Sequence, residues 1–315
     1  MLPSRRLRWL IFFLMMYVIL CSVGGVYLAD GTLHPGRREL SDQDALAARQ
    51  TVRSSGVELQ DVAITTPDAV TLRGWVAHPA RTNGQAAILL HGLGDNRLGM
   101  AGYAQLLLGN GFTVLLPDAR AHGASGGSLA TYGLLERTDI RQWVDSLATW
   151  TGAPCVYGMG ESMGAAQLLQ SVQVGTRFCG VVAESPFASF RKIAYDRMGQ
   201  PFHLGPWVGR TLLRPLVEIA FLRARWKYKL DMQQVSPEDA IAGTNIPVLL
   251  IHGQIDSNIP VRHSRLIHAK DPATTLWEVP GAEHCGAMSV APQQFAQRVL
   301  AWFDHPSAVA ASSAH

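Results

Sequence analysis

The pentapeptide Gly160-Glu161-Ser162-Met163-Gly164 joins an apolar run, Pro154–Gly158, to a stretch of helical spacing, Ser162–Val174. Gly-x-Ser-x-Gly between a strand and a helix is a sharp turn that holds the serine hydroxyl clear of the backbone. Gly160 and Gly164 stand where side chains should not fit. The helix that starts there turns its leading amides toward any negative charge that develops. A serine hydroxyl is a weak nucleophile; it needs a base, and the base needs an orienting carboxylate.

Both partners can be found downstream, each just past an apolar run. Asp256 follows Val248–Ile251, and His284 follows Leu276–Val279. The expected roles are Ser162 as nucleophile, His284 as base and Asp256 as orienting acid, with Glu184 as the rival acid. Of the 11 histidines, His91 and His122 precede the serine, and His252 reads as a packed or hydrogen-bonded residue at a strand end. An acyl-transfer site also needs donors for its oxyanion. The amide of Met163 supplies one. The amide of Leu93 is the expected second, in a loop where Gly92 and Gly94 allow close backbone approach, with His91 as its buttress.

These residues need elements to hold them. Val57–Thr66 and Val70–His78 alternate apolar and polar residues around Asp68-Ala69, which predicts a hairpin. Short apolar runs then alternate with helical spacing as far as Phe303. That order predicts a mostly parallel, doubly wound α/β sheet of about eight strands with helices on both faces. Residues 186–245, approximately, are too long for a simple crossover and carry an apolar helical run, read here as a small helical cap.

Arg5, Arg6 and Arg8 open the chain, and no charged residue follows from Trp9 to Ala29. About 20 apolar residues span a hydrocarbon core of about 30 Å. Residues 1–29 are therefore expected to form an uncleaved signal anchor and transmembrane helix; a cleaved signal is the alternative. Basic flanks stay in the cytoplasm, which would place the remainder outside it. Residues 30–55 read as a linker or short helix, 56–305 as the folded domain and 306–315 as a disordered tail. The net charge of +3 over 315 residues is all accounted for by the three N-terminal arginines, so it carries no signal for nucleic acid. Charged residues make up only 16%, against disorder.

Several motifs resemble the α/β-hydrolase superfamily, in order: His91-Gly92-x-Gly94, Asp118-x-Arg120-x-His122-Gly123-x-Ser125-x-Gly127, the turn at Ser162, Glu184-Ser185-Pro186, His252-Gly253-x-x-Asp256 and Gly281-x-x-His284. The resemblance covers Val57–Phe303 and is nearest a branch of membrane-tethered serine hydrolases with a short helical cap. Ala121 departs from it, since that loop usually has glycine there. The resemblance implies a serine hydrolase acting on an ester, thioester or amide with no metal or cofactor. The expected enzyme is a carboxylesterase or lipase-like hydrolase of small-molecule or lipid-like esters. A peptidase or amidase of the same fold, or a catalytically silent membrane-anchored binding module, are the alternatives. Arg210, Arg214, Arg223, Arg225, Lys227 and Lys229 fit either anionic headgroups or a solvated helix face. Cys155 and Cys179 should begin neighbouring strands. Bridges between adjacent parallel strands are uncommon, so two buried free thiols are expected.

Overall fold

The computed structural model describes residues 4–53, 56–174, 177–203 and 205–304. The tail expected at 306–315 lies outside the described residues, as do residues 54 and 55 of the expected linker. Helix α1 (Arg5–Leu33) is long and apolar enough to cross a membrane, and α2 (Asp42–Arg53) follows. Strands β1 (Glu58–Thr65) and β2 (Thr71–His78) form the hairpin. The chain then alternates β3 (Ala86–Leu90), α3 (Ala101–Gly109), β4 (Thr113–Pro117), α4 (Glu136–Thr151), β5 (Val156–Glu161), α5 (Met163–Ser171) and β6 (Phe178–Glu184). Helices α6 (Phe190–Gly199), α7 (Pro206–Arg210), α8 (Arg214–Lys227) and α9 (Pro237–Ala240) precede β7 (Val248–Gly253). Helix α10 (Arg262–Lys270), β8 (Thr275–Val279), α11 (Ala287–Val290) and α12 (Pro292–Asp304) complete the described chain.

Two compact units share these elements. One holds the described residues up to His34 together with Ser189–Gln234; the other holds the rest. The larger unit is built on the eight-stranded sheet, in the order β1-β2-β4-β3-β5-β6-β7-β8. Only the β1–β2 and β2–β4 pairs are antiparallel. The inner strands are apolar on both faces, and alternate residues feed two cores. Ala86, Ile88 and Leu90 of β3 pack with Trp143 and Leu147 of α4 and Leu168 of α5. Ala87 and Leu89 pack on the other face with Leu107 of α3 and Phe295, Trp302 and Phe303 of α12. Burying each of the larger of these side chains stabilises the fold by about 1.5–3 kcal/mol.

Helix α4 starts only at Glu136, although residues 131–135 share its helical spacing. The Glu136 carboxylate reaches back to the amides of Thr131 (2.7 Å) and Gly133 (2.8 Å), and so holds residues 131–135 as a turn. The loop after β4 is pinned by charge. Asp118, fully buried, accepts from the Arg97 guanidinium at 2.7 Å, and Arg120 pairs with Asp139 at 2.7 Å and with Asp68 at 2.9 Å. Ala121 has φ +60°, a left-handed conformation that favours glycine, which accounts for the glycine usual at this place.

The expectation of free thiols is corrected: Cys155 and Cys179 form a disulfide, with Cα atoms 5.4 Å apart. A register shift is the reason. Val156 pairs with Phe178 but Tyr157 pairs with Gly180, so Cys179 is the extra residue of a bulge. A bulge re-aims the side chain it carries.

In the smaller unit α8 runs beside the second half of α1, and both advance in the same direction. The Tyr17 hydroxyl donates to the Leu212 carbonyl oxygen at 2.5 Å. Gly24 and Gly25 face Leu216 and Ile219, and a Cβ at Gly25 would lie 2.7 Å from the Leu216 carbonyl oxygen. Small residues let two helix backbones approach this closely. Farther along, the Asp30 carboxylate accepts from Arg223 and Lys227, each at 3.2 Å, and from the Tyr228 hydroxyl at 2.8 Å.

Candidate active site

Strand β5 ends at Glu161, α5 begins at Met163, and Ser162 lies between them with φ +51° and ψ −114°. A serine is rarely held there, and only a surrounding structure that over-determines the turn keeps it so. The glycines show how. A Cβ on Gly160 would lie 2.6 Å from the Gly164 carbonyl group, and one on Gly164 would collide with the Leu90 carbonyl oxygen at the end of β3. The Ser162 amide donates to the Glu184 carbonyl oxygen at 2.8 Å, tying the turn to β6.

The other chemistry-bearing residues stand at the same, carboxyl-terminal ends of neighbouring strands, where parallel sheets place their sites. Asp256 follows β7 and His284 follows β8. His284 Nε2 is 2.9 Å from Ser162 Oγ, and His284 Nδ1 is 2.8 Å from Asp256 Oδ2. The three residues expected from sequence are thus brought into one hydrogen-bonded line. Asp256 is buried, and its Oδ1 accepts from the amides of Asn258 (2.9 Å) and Ile259 (2.8 Å). Burial alone would raise its carboxyl; hydrogen bonds from His252 and His284 outweigh that and hold it well below the usual carboxylate range.

His252 is hydrogen-bonded, as the sequence allowed; its partnership with Asp256 is what sequence reasoning did not foresee. Its Nε2 lies 2.7 Å from the Ile259 carbonyl oxygen and 3.3 Å from Asp256 Oδ2. A carbonyl only accepts, so Nε2 carries a proton, and Nδ1 lies 2.7 Å from the Ser264 hydroxyl. The available signal was the four-residue spacing from His252 to Asp256 across a strand end.

The Gly92–Gly94 loop after β3 abuts the serine: a Cβ on Gly92 would lie 3.6 Å from Ser162 Cβ. Gly94 has φ +75°. His91 braces the loop, its Nδ1 donating to the Gly92 carbonyl oxygen at 2.8 Å while Nε2 accepts from the Ala119 amide at 3.1 Å. Burial holds its pKa down at about 4, so it stays neutral. The residue between the two glycines is Leu93. Met163 heads α5, where the leading amides have no intrahelical acceptor.

Glu184, the rival acid, is engaged elsewhere. Its Oε1 accepts from the Ala287 amide at 3.0 Å, and its Oε2 lies 3.0 Å from the Tyr103 hydroxyl. Tyr103 Oη is also 3.3 Å from Glu161 Oε2. A phenol has one proton to donate, so Tyr103 shares it between the two carboxyls. Burial first, with the Glu161 charge adding to it, lifts Glu184 to about 7 against the opposing effect of the Ala287 amide and Tyr103. Such a group costs no stability below its unfolded value near 4.5, costs increasingly as pH rises from there to about 7, and levels off above that at on the order of 3 kcal/mol. Glu184→Gln keeps the acceptor for Ala287 and reproduces the protonated state. It should raise the urea midpoint at pH 8 and leave it unchanged at pH 4.5; an equal change at both would remove Glu184 as the titrating group.

Comparison with known proteins bears directly on this geometry. A model of the alpha/beta hydrolase family matches residues 87–298, which takes in the serine, the aspartate and the histidine. The chain belongs to the α/β-hydrolase family. An uncharacterized protein of Bacillus subtilis (strain 168), YqkD, is 32% identical over 235 residues, covering 72% of this hydrolase and 74% of the relative. YfhR of Escherichia coli (strain K12), also uncharacterized, is 29% identical over 240 residues, 73% and 75% of the two chains. Among solved structures, the Pyrococcus furiosus esterase Pf2001 superposes with a TM-score of 0.65 and 26% identity, over 84% of this chain and 96% of that one. Fold and neighbours together support a hydrolase.

Proposed function

We propose that this hydrolase cleaves carboxylic esters by a serine mechanism with an acyl-enzyme intermediate. The observation that carries it is the line from Ser162 Oγ through the His284 ring to Asp256, at 2.9 and 2.8 Å. Ser162 Oγ attacks the ester carbonyl carbon as His284 Nε2 takes its proton. Asp256 keeps the Nδ1 proton in place and stabilises the imidazolium, and the amides of Leu93 and Met163 receive the oxyanion. The proton passes from Nε2 to the leaving alcohol as the tetrahedral intermediate collapses. Water then attacks the acyl-serine with His284 again as base, which releases the acid and restores Ser162. This sequence uses no metal and no cofactor.

In this reading α1 is a signal anchor, as in the membrane-tethered serine hydrolases the sequence resembles. Arg5, Arg6 and Arg8 hold its start in the cytoplasm. The Cys155–Cys179 disulfide supports an extracytoplasmic location for the body, since such bonds persist in oxidising compartments. Small-molecule and lipid-like esters are then the accessible substrates.

The test is a panel of p-nitrophenyl esters of rising acyl length beside aminoacyl p-nitroanilides, with the full-length chain. Ester turnover with little nitroanilide turnover is expected. Preference for the anilides, or turnover of neither by folded enzyme, overturns the reading.

A further inference from the structure

Helix α8 sits at a depth set by α1. The contacts between them advance in step, from Tyr17–Leu212 through Gly25–Leu216 and Gly25–Ile219 to Asp30 with Arg223, Lys227 and Tyr228. Asp30 is the first charged residue after the apolar run that begins at Trp9, so it marks where that run leaves hydrocarbon. Tyr17 lies 13 residues earlier, about 20 Å below Asp30 along the helix axis.

We propose that the segment from Leu212 to Trp226 is embedded in the hydrocarbon of a phospholipid bilayer, held there by its packing on α1. The proposal rests on the reading of α1 as a membrane span. Leu212, Pro215, Leu222 and Trp226 form an apolar stripe at near-helical spacing that faces away from the unit's interior, with Leu222 63% and Trp226 73% exposed. In water such a stripe has no partner; beside an apolar helix of the same orientation, its natural neighbour is acyl chain. Trp226 and Tyr228 fall at the level of Asp30, where amphipathic rings favour the interface. The charged groups within the segment fit this depth. Glu218 is neutralised by Arg191 at 2.6 Å and accepts from the Tyr195 hydroxyl at 2.8 Å, as ionisable groups inside membranes are paired. Arg214 lies 3.9 Å from the same Glu218 carboxylate, so it too is paired within the segment.

The experiment places an environment-sensitive fluorophore on single cysteines, in a Cys21→Ala, Cys285→Ala background that keeps the disulfide. The sites are Leu212→Cys, Leu222→Cys, Trp226→Cys and, as a reference on α1, Phe13→Cys. The full-length chain is reconstituted in phosphatidylcholine vesicles with nitroxide lipids, labelled either near the headgroup or near the acyl midpoint. The expected result is blue-shifted, quenched emission at all four sites. Leu212 should be quenched best by the deep nitroxide and Trp226 best by the shallow one, because the two lie about 20 Å apart along the segment. Quenching at Phe13 with none at Leu222 or Trp226 overturns the proposal and leaves α1 as a span. No quenching at Phe13 overturns both.

Discussion

Asp256→Asn should lower kcat on the best nitrophenyl ester by about 10⁴, close to 5.5 kcal/mol of transition-state stabilisation, with KM near wild type. The direction follows from which atom of the new amide faces the imidazole. The amides of Asn258 and Ile259 both donate to Oδ1, so an asparagine keeps its oxygen there and turns its NH₂ toward His284 and His252. His284 Nδ1 must then accept, its proton moves to Nε2, and the ring can no longer take the proton of Ser162. The shape of the site is kept while its base is disabled. Steady-state kinetics on a variant with wild-type unfolding behaviour checks this. A kcat within about tenfold of wild type would remove Asp256 from the orienting role. Glu184→Gln is the useful contrast, since its carboxyl serves Tyr103 and Ala287 and its substitution should leave most of the rate intact.

Breaking the Cys155–Cys179 bond should lower the unfolding free energy by about 3.5 kcal/mol, the value for a loop of this length when the unfolded chain is released from its constraint. The bonded residues are 24 apart in sequence, and the segment between them contains β5, the turn at Ser162 and α5. Denaturant unfolding of wild type with and without reductant, beside the Cys155→Ala, Cys179→Ala double variant, separates the outcomes. Reductant should destabilise wild type to the level of the variant and leave the variant unmoved. A wild-type midpoint that stays put once both thiols are shown to be free would contradict the argument.

Much of the sheet could be read from the chain because its devices are local. Apolar runs such as Ala86–Leu90 and Val248–Ile251 are strands buried on both faces, and Gly160 and Gly164 announce the close approach that makes the turn at Ser162. The alignment of Ser162, His284 and Asp256 was legible for the same reason: each follows a strand end that its own neighbourhood defines. What stayed hidden depends on register and on distant partners. The disulfide requires a bulge at Cys179, and pairing between β5 and β6 leaves no trace in composition. The late start of α4 depends on one carboxylate, Glu136, folding back on its own turn. Tyr103 joins Glu161 and Glu184 from a helix 58 residues away from the nearer of them, which only the three-dimensional stacking of α3 on the sheet brings about.

The strand order has a consequence for the making of the protein. After β3 pairs with β4, every later strand is added to one growing margin, β5 on β3, then β6, β7 and β8 in the order in which they leave the ribosome. Each arrival finds its template already present, so no earlier pairing has to be undone. The residues of the site join in the same succession: the serine with β5, the aspartate with β7 and the histidine after β8. A nascent chain therefore holds Ser162 without His284 until β8 has been made, so the serine mechanism proposed above could operate only once the sheet is complete.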